Sequence, residues 1–339
     1  MTDEATAPQA QLPDPQVTAN VYCDRRLDEV IHGALAPLRR TMDERDPEGL
    51  WRLWFVRYPR RGEHLKVRLH GPGPAADTLR DLLATAVAAC LAALPPAVEG
   101  EARKGGLEVP PIDLEDGEAS LHPDRSLLWT HYQRSHISLG GKPLLDDDRY
   151  AALITTCLAR SCETALASLR PNGEGQFPHS PRQTALLRLV TGGLGALGFG
   201  VEKSAGYLAY HRDWLLRFTA ARSSTGSEKI RQVLAQFDQR ADSMGSALEP
   251  LRAMALDAWS GGTRDSLDGT DAGWWQALRD LEGYLDRFRG KADYQLDPFA
   301  TDIVFSPVFK AFHGSANQLG LNMLNEAFAH HLLWRAVAA

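Results

Sequence analysis

The stretch WFVRYPRRGEHLKVRLHG, residues 54–71, sets the fold prediction. Trp51–Tyr58 and His64–His70 are rich in β-branched and aromatic residues, and the short polar turn Pro59–Glu63 joins them, so the pattern predicts two neighbouring strands. Along the second strand, successive side chains alternate between the two faces of a sheet. One face carries Leu65, Val67 and Leu69, and the other carries His64, Lys66, Arg68 and His70. We expect the apolar face to pack against helices.

The polar side chains His64, Lys66, Arg68 and His70 form what we call the cationic face. Arg57 on the preceding strand joins this face if the register allows. Charge-assisted hydrogen bonds and the planar fork of arginine suit carboxylates. The pattern leaves two interpretations open: a solvated polar sheet face, or a surface that binds an acidic or carbonyl-rich partner. We take Arg57, His64, Lys66 and Arg68 as candidate substrate-binding residues.

Strands and helices alternate around this hairpin. Val17–Cys23 is a β-like run, and Leu27–Glu44 has helical spacing with Pro37 as the place of a kink. Thr78–Leu94 predicts a helix that ends at a pair of prolines. Leu127–Leu139 predicts another strand. The sequence therefore predicts an α+β fold with a ferredoxin-like β-α-β-β-α-β sheet unit.

Helical spacing dominates the rest of the chain, and helices that follow a sheet are typical of α+β domains. The predicted helices are Asp146–Leu169, Pro181–Leu197, Gly206–Ala221, Glu228–Met244, Trp274–Arg287, Pro307–Leu319 and Leu321–Val337. Ser260–Gly273 is rich in Gly, Asp and Thr and predicts a connection. We expect a flexible tail at residues 1–16 and one α+β domain at 17–339. Its sheet-containing part is 17–145 and its mainly helical part is 146–339.

Composition excludes several classes of protein. The formal net charge of -6 disfavours binding to a nucleic-acid backbone as the main function. No apolar run approaches the ~20 residues of a membrane span, and the N-terminus does not resemble a signal peptide, so we expect a cytoplasmic protein without a membrane partner. The four cysteines form no C-x-x-C pair, which predicts buried free thiols rather than disulfides or a zinc site.

The segment GYLAYHRDW, residues 206–214, concentrates aromatic and proton-donating side chains on one helical face. Tyr207 and His211 lie one turn apart, so they belong to the same face. One interpretation is an aromatic core stripe with a satisfied histidine. The other is the wall of a pocket in which Tyr207 and His211 act as catalytic residues.

A second helical segment, FSPVFKAFHGSAN at residues 305–317, carries further candidates. Ser306 followed by proline predicts a helix N-cap with a first-turn proline. His313 and Asn317 are i,i+4 neighbours, which suits joint hydrogen bonding to a substrate amide. We take Ser306 and His313 as catalytic candidates and Phe312 and Asn317 as candidate substrate-binding residues. The alternative is that these side chains are structural.

Gly193, Gly195 and Gly198 match the letters of the dinucleotide-binding pattern G-x-G-x-x-G. That fingerprint requires a strand before the glycines and a helix after them. The preceding residues SPRQTALLRLVT predict a helix, so we expect a glycine-rich helix end or a flexible pocket loop instead of a nucleotide site.

Three segments carry a resemblance to a known family. Trp54–Gly71 resembles a stretch of lantibiotic dehydratase C-terminal domains that reads roughly W-F-F-I-R-Y, a turn, and H-x-R-x-R-F. LGG at Leu139–Gly141, just after HYQRSHIS, resembles the family segment Y-x-x-E-x-x-R-Y-G-G. FHGSANQLGL at Phe312–Leu321 resembles the late segment H-M-x-x-N-R-L-G. The three matches come in the family's order and span most of the chain.

The resemblance implies an enzyme that acts on a peptide. In the family, this domain eliminates glutamate from glutamylated Ser or Thr. Ser138 stands here in place of one family arginine, and Gln318 in place of the arginine of the N-R pair, whereas His313 is kept. Chains with this pattern of losses resemble the pyridine synthases of thiopeptide biosynthesis.

Pyridine synthases imply a formal [4+2] cycloaddition that joins two dehydroalanines of a modified precursor peptide. Loss of water and of the leader peptide then gives a pyridine-centred macrocycle. The implied partners are the leader-bearing peptide and other pathway enzymes, and no cofactor or metal is implied. Two alternatives stay open: the glutamate-eliminating half of a split lantibiotic-type dehydratase, and a non-catalytic leader-peptide-binding subunit.

Overall fold

A computed structural model describes residues 17–58, 63–71, 73–95, 122–130, 138–139, 142–143, 148–220, 226–260, 269–289, 302 and 304–338. The strands are β1 Val17–Tyr22, β2 Arg52–Tyr58, β3 His64–His70, β4 Ser126–Trp129, β5 Ser138–Leu139 and β6 Lys142–Pro143. The helices are α1 Leu27–Val30, α2 Ala36–Arg45, α3 Ala76–Ala93, α4 Asp148–Ser168, α5 His179–Ala196, α6 Gly200–Ala220, α7 Gly226–Met244, α8 Leu248–Trp259, α9 Gly269–Asp286, α10 Phe305–Gln318 and α11 Met323–Ala338. Helices dominate beside a small sheet, which confirms the α+β prediction.

The main sheet has the strand order β2-β3-β1-β4, and neighbouring strands are antiparallel. β3 has the predicted bounds, and Leu65, Val67 and Leu69 are fully buried, as their alternation predicts. Of the predicted turn Pro59–Glu63, only Glu63 belongs to the described residues. In the register of the hairpin, Arg57 pairs with Leu65. Arg57 therefore lies on the apolar face, and its expected membership of the cationic face is wrong.

The prediction of one long strand at Leu127–Leu139 is wrong. β4 pairs with β1 only from Ala19 to Tyr22, and after Trp129 a single further bond joins the Thr130 N–H to the Thr18 carbonyl. Ser138–Leu139 instead pairs with Lys142–Pro143 in a separate two-stranded sheet. Residues 131–137, which the prediction also included, lie outside the described residues.

The predicted helix Leu27–Glu44 forms, and its irregularity lies just before Pro37 instead of at it. A π-helical segment, Ile31–Leu35, lies between α1 and α2, and Pro37 sits in the first turn of α2. The wider turn precedes the proline, where it accommodates the residue that lacks an N–H donor. Gly33 in this segment packs closely against α3, since an added Cβ would stand 2.9 Å from the Cys90 sulfur. The close packing explains why a glycine occupies this position.

The predicted helices of the second half all form, with ends shifted by a few residues. The largest shift is at α6, which begins at Gly200 rather than at Gly206. α8 was missed; Pro250 lies in its first turn, where no N–H donor is needed. The predicted connection Ser260–Gly273 is partly wrong, since α9 already begins at Gly269.

The outer edge of β2 is closed by polar groups from its surroundings, so it does not offer free backbone for pairing. The Asn317 side chain binds the main chain of Arg57 on both sides: its Oδ1 accepts from the N–H at 2.7 Å, and its Nδ2 donates to the carbonyl at 3.0 Å. Cys162 of α4 contacts the main chain of Phe55. At the start of the strand, the Asp46 carboxylate accepts from the Trp51 N–H. α4 and α10 thereby attach the helical half to the sheet.

A buried charge network holds the end of α10 against the sheet. Asp28 accepts from Arg57 Nη2 and Arg182 Nη2, each at 2.6 Å. Burial alone would raise the pKa of Asp28, but the two guanidinium groups hold it below its ordinary value. Arg57 Nε also donates to the Gln318 carbonyl at 3.3 Å, and Arg182 Nη1 to the Leu319 carbonyl at 3.4 Å. The two arginines thus satisfy carbonyls at the helix C-terminus.

The turn from α10 to α11 is a Schellman motif centred on Gly320. Leu321 N–H donates to the Ala316 carbonyl and Gly320 N–H to the Asn317 carbonyl, each at 3.0 Å. Gly320 has φ +72°, and an added Cβ would stand 2.9 Å from the guanidinium groups of Arg57 and Arg182. Both the backbone conformation and the neighbours require glycine here.

All four cysteines are free and buried, as predicted. Within the described ranges, no group of His, Cys, Asp and Glu side chains has an arrangement that could hold a metal ion. None of the helices in the described part of the chain has the length and hydropathy needed to span a bilayer.

We expect Gly320→Ala to lower the free energy of unfolding by about 2 kcal/mol, because the left-handed conformation disfavours a Cβ and the nearby guanidinium groups must move. Urea denaturation followed by circular dichroism measures the change. Gly283→Ala is the matched control: Gly283 lies within α9 with open space around it, so alanine should be neutral or stabilise by roughly 0.5–1 kcal/mol. Equal stability of Gly320→Ala and wild type would contradict the prediction.

Candidate functional site

A buried carboxylate links two histidines from different helices. Glu326 of α11 binds His211 Nε2 of α6 through Oε1 at 2.8 Å and His313 Nδ1 of α10 through Oε2 at 2.7 Å. Behind His211, the Tyr207 hydroxyl lies 2.8 Å from Nδ1. We call Tyr207, His211, His313 and Glu326 the Glu326 cluster. Sequence analysis placed the first three in the site, and the structure brings them together.

Local sequence explains how Glu326 reaches this position. Asn322 precedes α11, and its side-chain oxygen accepts from the Asn325 N–H at 2.9 Å, which fixes the start of the helix. Glu326 follows in the first turn, where the helix dipole favours a negative charge. The tight turn at Gly320 joins α10 to α11, and the Glu326 carboxylate reaches His313 Nδ1.

The charges within the cluster are set by burial and by the carboxylate. Glu326 is fully buried, which alone would raise its pKa, but His313 and His211 hold the pKa far below its ordinary value. Burial lowers the pKa of His211 despite Glu326, so this histidine is neutral near pH 7. The Glu326 carboxylate outweighs burial at His313 and raises its pKa. The cluster therefore pairs a buried carboxylate with one chargeable histidine.

These charges fix the direction of each hydrogen bond. Neutral His211 donates its Nε2–H to Glu326, which leaves Nδ1 to accept from the Tyr207 hydroxyl. Burial raises the pKa of Tyr207 well above its ordinary value, so the hydroxyl keeps its proton. His313 donates Nδ1–H to Glu326, and its Nε2 remains for another partner. The His313 side chain is 39% exposed, whereas the other three are fully buried.

His313 is therefore the member of the cluster that can meet a substrate. Protonated, it can donate from Nε2, and deprotonated, it can accept there; a carboxylate on the other ring nitrogen orients it for both. Tyr207 and His211 are linked to His313 through Glu326. Their expected place in a pocket wall is wrong, because both side chains are fully buried.

His330 lies against the back of the cluster. Its ring stacks on His211 with a centroid distance of 3.9 Å, and its Nδ1–H donates to the Glu326 main-chain carbonyl at 2.9 Å. Burial lowers the pKa of His330 to about 3, so the ring stays neutral. Sequence analysis missed His330 and Glu326. The spacing in EAFAHH, residues 326–331, could have indicated them, because it places Glu326 and His330 one helical turn apart on the same face.

Ser306 lies in the first turn of α10, at the exposed side of the same helix as His313. Its Oγ is 3.4 Å from the Tyr210 hydroxyl. The prediction that Ser306 is the N-cap is wrong: α10 begins at Phe305 and its N-cap is Val304, two residues earlier than predicted. The Asp302 carboxylate accepts from the Val304 N–H at 2.9 Å, which fixes the turn just before the helix, and no side chain caps the helix itself.

Three predicted substrate-binding residues have structural partners. Phe312 is fully buried against Trp274 and Tyr207, with ring centroids 5.8 and 5.7 Å away. Asn317 binds the main chain of β2, and Arg57 binds Asp28. Phe312 is enclosed between helices, and Asn317 and Arg57 are held at the helix–sheet interface, so the geometry does not support contact with a substrate.

The cationic face is mostly buried, which excludes the interpretation of a solvated sheet face. His64, Arg68 and His70 are buried, and Lys66 is partly exposed. The Lys66 ammonium lies 3.6 Å from the ring centroid of Tyr58, which is 37% exposed. Lys66 and Tyr58 are thus the accessible pair at this end of the sheet.

Of the glycine pattern, Gly193 and Gly195 lie in the last turn of α5, and Gly198 follows the helix with φ +61°. An added Cβ on Gly193 would stand 2.6 Å from Phe312, and one on Gly195 would stand 2.7 Å from the Ala258 carbonyl. These glycines allow α5 to approach α10 and α8 closely. As expected, they do not follow a strand, and they serve helix packing.

We expect Glu326→Gln to lower the pKa of His313, since burial then acts without the opposing carboxylate. In wild type, the pKa of His313 is higher in the folded than in the unfolded chain, where it is about 6.5. The protonated His313–Glu326 pair therefore adds fully to the free energy of unfolding below that unfolded pKa, and this contribution is lost as pH rises through the folded pKa. NMR titration of the histidine ring protons measures the shift. Glu163→Gln, at a partly exposed ion pair with Arg160, is the control and should leave His313 unchanged. An unaltered His313 titration in Glu326→Gln would contradict the assignment.

The chain has similar folds among solved structures. With the pyridine synthase TbtD from thiomuracin biosynthesis, the TM-score is 0.64 and the identity 19%, over 95% of this chain and 97% of that chain. With TsrL, the TM-score is 0.57 and the identity 15%, over 94% and 93%. The tRNA-dependent lantibiotic dehydratase MibB from Microbispora sp. 107891 gives 0.49 and 16%, over 99% of this chain and 29% of that chain.

No curated protein sequence matches this one. The family model for the C-terminal part of lantibiotic biosynthesis dehydratases matches residues 17–337, nearly the whole chain. This match confirms the resemblance that three separate sequence segments indicated. The chain belongs to the lantibiotic dehydratase C-terminal family.

Proposed function

We propose that this protein is a pyridine synthase that acts on a modified, leader-bearing precursor peptide. It joins two dehydroalanines by a formal [4+2] cycloaddition and releases water and the leader to give a pyridine-centred macrocycle. The observation that carries the proposal is the pairing of partly exposed His313 with buried Glu326. Family membership and the fold shared with TbtD support it.

The proposed reaction needs proton transfers but no change of oxidation state. One dehydroalanine and the preceding amide, as its imidic-acid tautomer, form the C=C–N=C(OH) diene. The other dehydroalanine is the alkene partner, and two C–C bonds close the six-membered ring. Water then leaves from the former carbonyl carbon, and the leader leaves as an amide from the carbon next to it. Each departure removes one ring hydrogen, so the ring becomes aromatic without an oxidant.

His313 and Glu326 suit these proton transfers. The protonated imidazole can donate to the leaving hydroxyl or amide nitrogen, and the neutral imidazole can take a proton from a ring carbon. Glu326 favours the protonated form, and His211 with Tyr207 holds Glu326 in place. General acid–base catalysis of this kind contributes typically about 10²–10⁴-fold. Holding the two alkenes together contributes roughly 7–11 kcal/mol in favourable cases.

The leader is assigned to the accessible end of the cationic face. Lys66 and Tyr58 offer a charge and an aromatic ring there, and the buried His64 and Arg68 support the strands that carry them. A carboxylate of an acidic leader suits the Lys66 ammonium. Enzymes that install the dehydroalanines are further partners under this proposal.

The sheet unit is assigned to the ferredoxin-like class. Its support is the alternation of strands and helices along the chain together with the antiparallel order β2-β3-β1-β4.

Glutamate elimination is the second candidate, since it also requires a base, and His313 offers one. It would need cations for the leaving glutamate. Gln318, which replaces a family arginine, is fully buried: its side chain binds the Ser161 hydroxyl at 2.6 Å and the Leu158 carbonyl at 2.9 Å. This neutral, enclosed side chain favours the pyridine synthase over glutamate elimination.

We expect His313→Ala to reduce macrocycle formation by roughly 10²–10⁴-fold, because the acid–base group is lost. The substrate is a leader-bearing peptide with two dehydroalanines, and mass spectrometry follows the macrocycle and the released leader amide. His179→Ala, at an exposed histidine at the start of α5, is the control and should retain full activity.

Two results would contradict the proposal. One is an absence of macrocycle from wild-type protein with a matched peptide, combined with dehydroalanine production from a glutamylated serine peptide. That outcome would assign glutamate elimination. The other is full pathway activity of His313→Ala in the presence of the partner enzymes, which would assign a non-catalytic leader-binding subunit.

A further inference from the structure

A row of aromatic rings leads from His313 to the protein surface along the contact of α6 with α10. We call Tyr210, Trp214 and Phe218 of α6, with Phe309 of α10, the aromatic seam. Phe309 stacks on His313 with centroids 5.6 Å apart and an interplanar angle of 19°. Trp214 lies 4.4 Å from Phe309, and Phe218 stacks on Trp214 at 5.3 Å and 8°. The rings of His313, Phe309, Trp214 and Phe218 therefore form a continuous row, and Tyr210 lies one helical turn before Trp214 on the same face of α6.

The outer part of this wall is open to solvent. Phe218 is 51% exposed, the largest exposure among the large hydrophobic side chains of the described residues. Tyr210, Trp214 and Phe309 are partly exposed. Contiguous exposed aromatic side chains are typical of ligand or peptide sites, whereas isolated ones are common on any surface. Here they are contiguous with a partly exposed histidine that is held by a buried carboxylate.

The spacing of the seam suits an extended peptide. Tyr210, Trp214 and Phe218 follow one another at four-residue intervals, which is about 6 Å per step along a helix. Side chains on one side of an extended peptide recur at about 6.6–6.8 Å. Successive same-side residues of such a peptide can therefore meet successive rings of α6.

We propose that the aromatic seam binds an extended segment of the peptide substrate by stacking on flat aromatic or conjugated side chains next to the reacting residues. Parallel faces such as those of Trp214 and Phe218 favour a flat π-system over a branched aliphatic group of equal size. The seam sets the register in which the peptide reaches His313. This inference rests on the proposed peptide substrate, and it adds a preference for planar residues at defined positions.

The test measures binding in the His313→Ala background, so that turnover does not interfere. The probe is a fluorescently labelled, leader-bearing peptide with two dehydroalanines and a phenylalanine two positions before the first of them. A second probe carries cyclohexylalanine at that position, which keeps the volume but removes the flat π face. Fluorescence anisotropy gives the Kd of each probe for the His313→Ala protein and for three double variants. These carry Phe218→Leu, Phe218→Tyr or Met244→Ala in addition to His313→Ala. Met244 is 38% exposed on α7 and outside the seam, so it is the matched surface control.

We expect Phe218→Leu to raise Kd for the phenylalanine probe about 3- to 10-fold, which is the effect of an aromatic pair. Phe218→Tyr and Met244→Ala should stay within about twofold. The cyclohexylalanine probe should bind the His313→Ala protein more weakly than the phenylalanine probe does. Its Kd should change little when Phe218→Leu is added. In the enzyme with His313 intact, Phe218→Leu should raise KM and leave kcat nearly unchanged.

Equal affinity of Phe218→Leu and the background protein for the phenylalanine probe would overturn the inference. So would an equal loss for both probes, which would indicate apolar contact without stacking. A dimer in sedimentation that Phe218→Leu abolishes would assign the seam to a second copy of the chain. If the binding pattern appears but no macrocycle forms, the pyridine synthase proposal fails and the peptide-binding seam stands.

Discussion

The structure depends on one buried carboxylate. An ionised Glu326 without partners would be strongly unfavourable in this dry environment, so the fold must bring His211 and His313 to its two oxygens. These histidines come from α6 and α10, and the carboxylate from α11. Pairing this charge therefore requires that the three helices hold a fixed arrangement, and the same hydrogen bond fixes the orientation of the partly exposed His313 ring.

A second network ties this arrangement to the sheet. Asp28 holds Arg57 and Arg182, and these arginines hold the last carbonyls of α10. The helix that carries His313 is thus fixed at its C-terminal end by charge and at its edge by Asn317. Residues that resembled a substrate clamp in the sequence instead position the helix. Arg57 is an example. The polar residues near it in sequence suggested a place on the cationic face, but its register with Leu65 places it on the apolar face, where it binds Asp28.

Much of the fold was predictable because its signals are local. The alternation of Leu65, Val67 and Leu69 gave β3, and helical spacing gave most helices of the second half. α8 was missed because a proline within a helix is tolerated only in its first turn, a position that sequence spacing does not reveal. The strand predicted to Leu139 failed because the C-terminal end of β4 depends on where its antiparallel partner β1 begins, and that is a property of the partner.

The site was predictable only in part. Tyr207, His211 and His313 stood out as proton donors, but Glu326 resembled an ordinary first-turn acid of a helix. Its role follows from a tertiary arrangement of α6, α10 and α11 that no single segment encodes. Phe312 and Asn317 were misassigned for the same reason, since one helix presents different faces to the core, the sheet and the solvent.

The closed edge of β2 has a consequence for solubility. Exposed edge strands are the usual place at which sheets of separate molecules join, and this chain protects its edge with side chains instead of a neighbouring strand. The Asn317 side-chain amide, on the helix that carries His313, makes the two hydrogen bonds that a neighbouring strand would make to the main chain of Arg57. Any motion that swung α10 away from the sheet would uncover that edge and invite intermolecular pairing. Keeping this edge covered therefore disfavours movement of α10 away from the sheet.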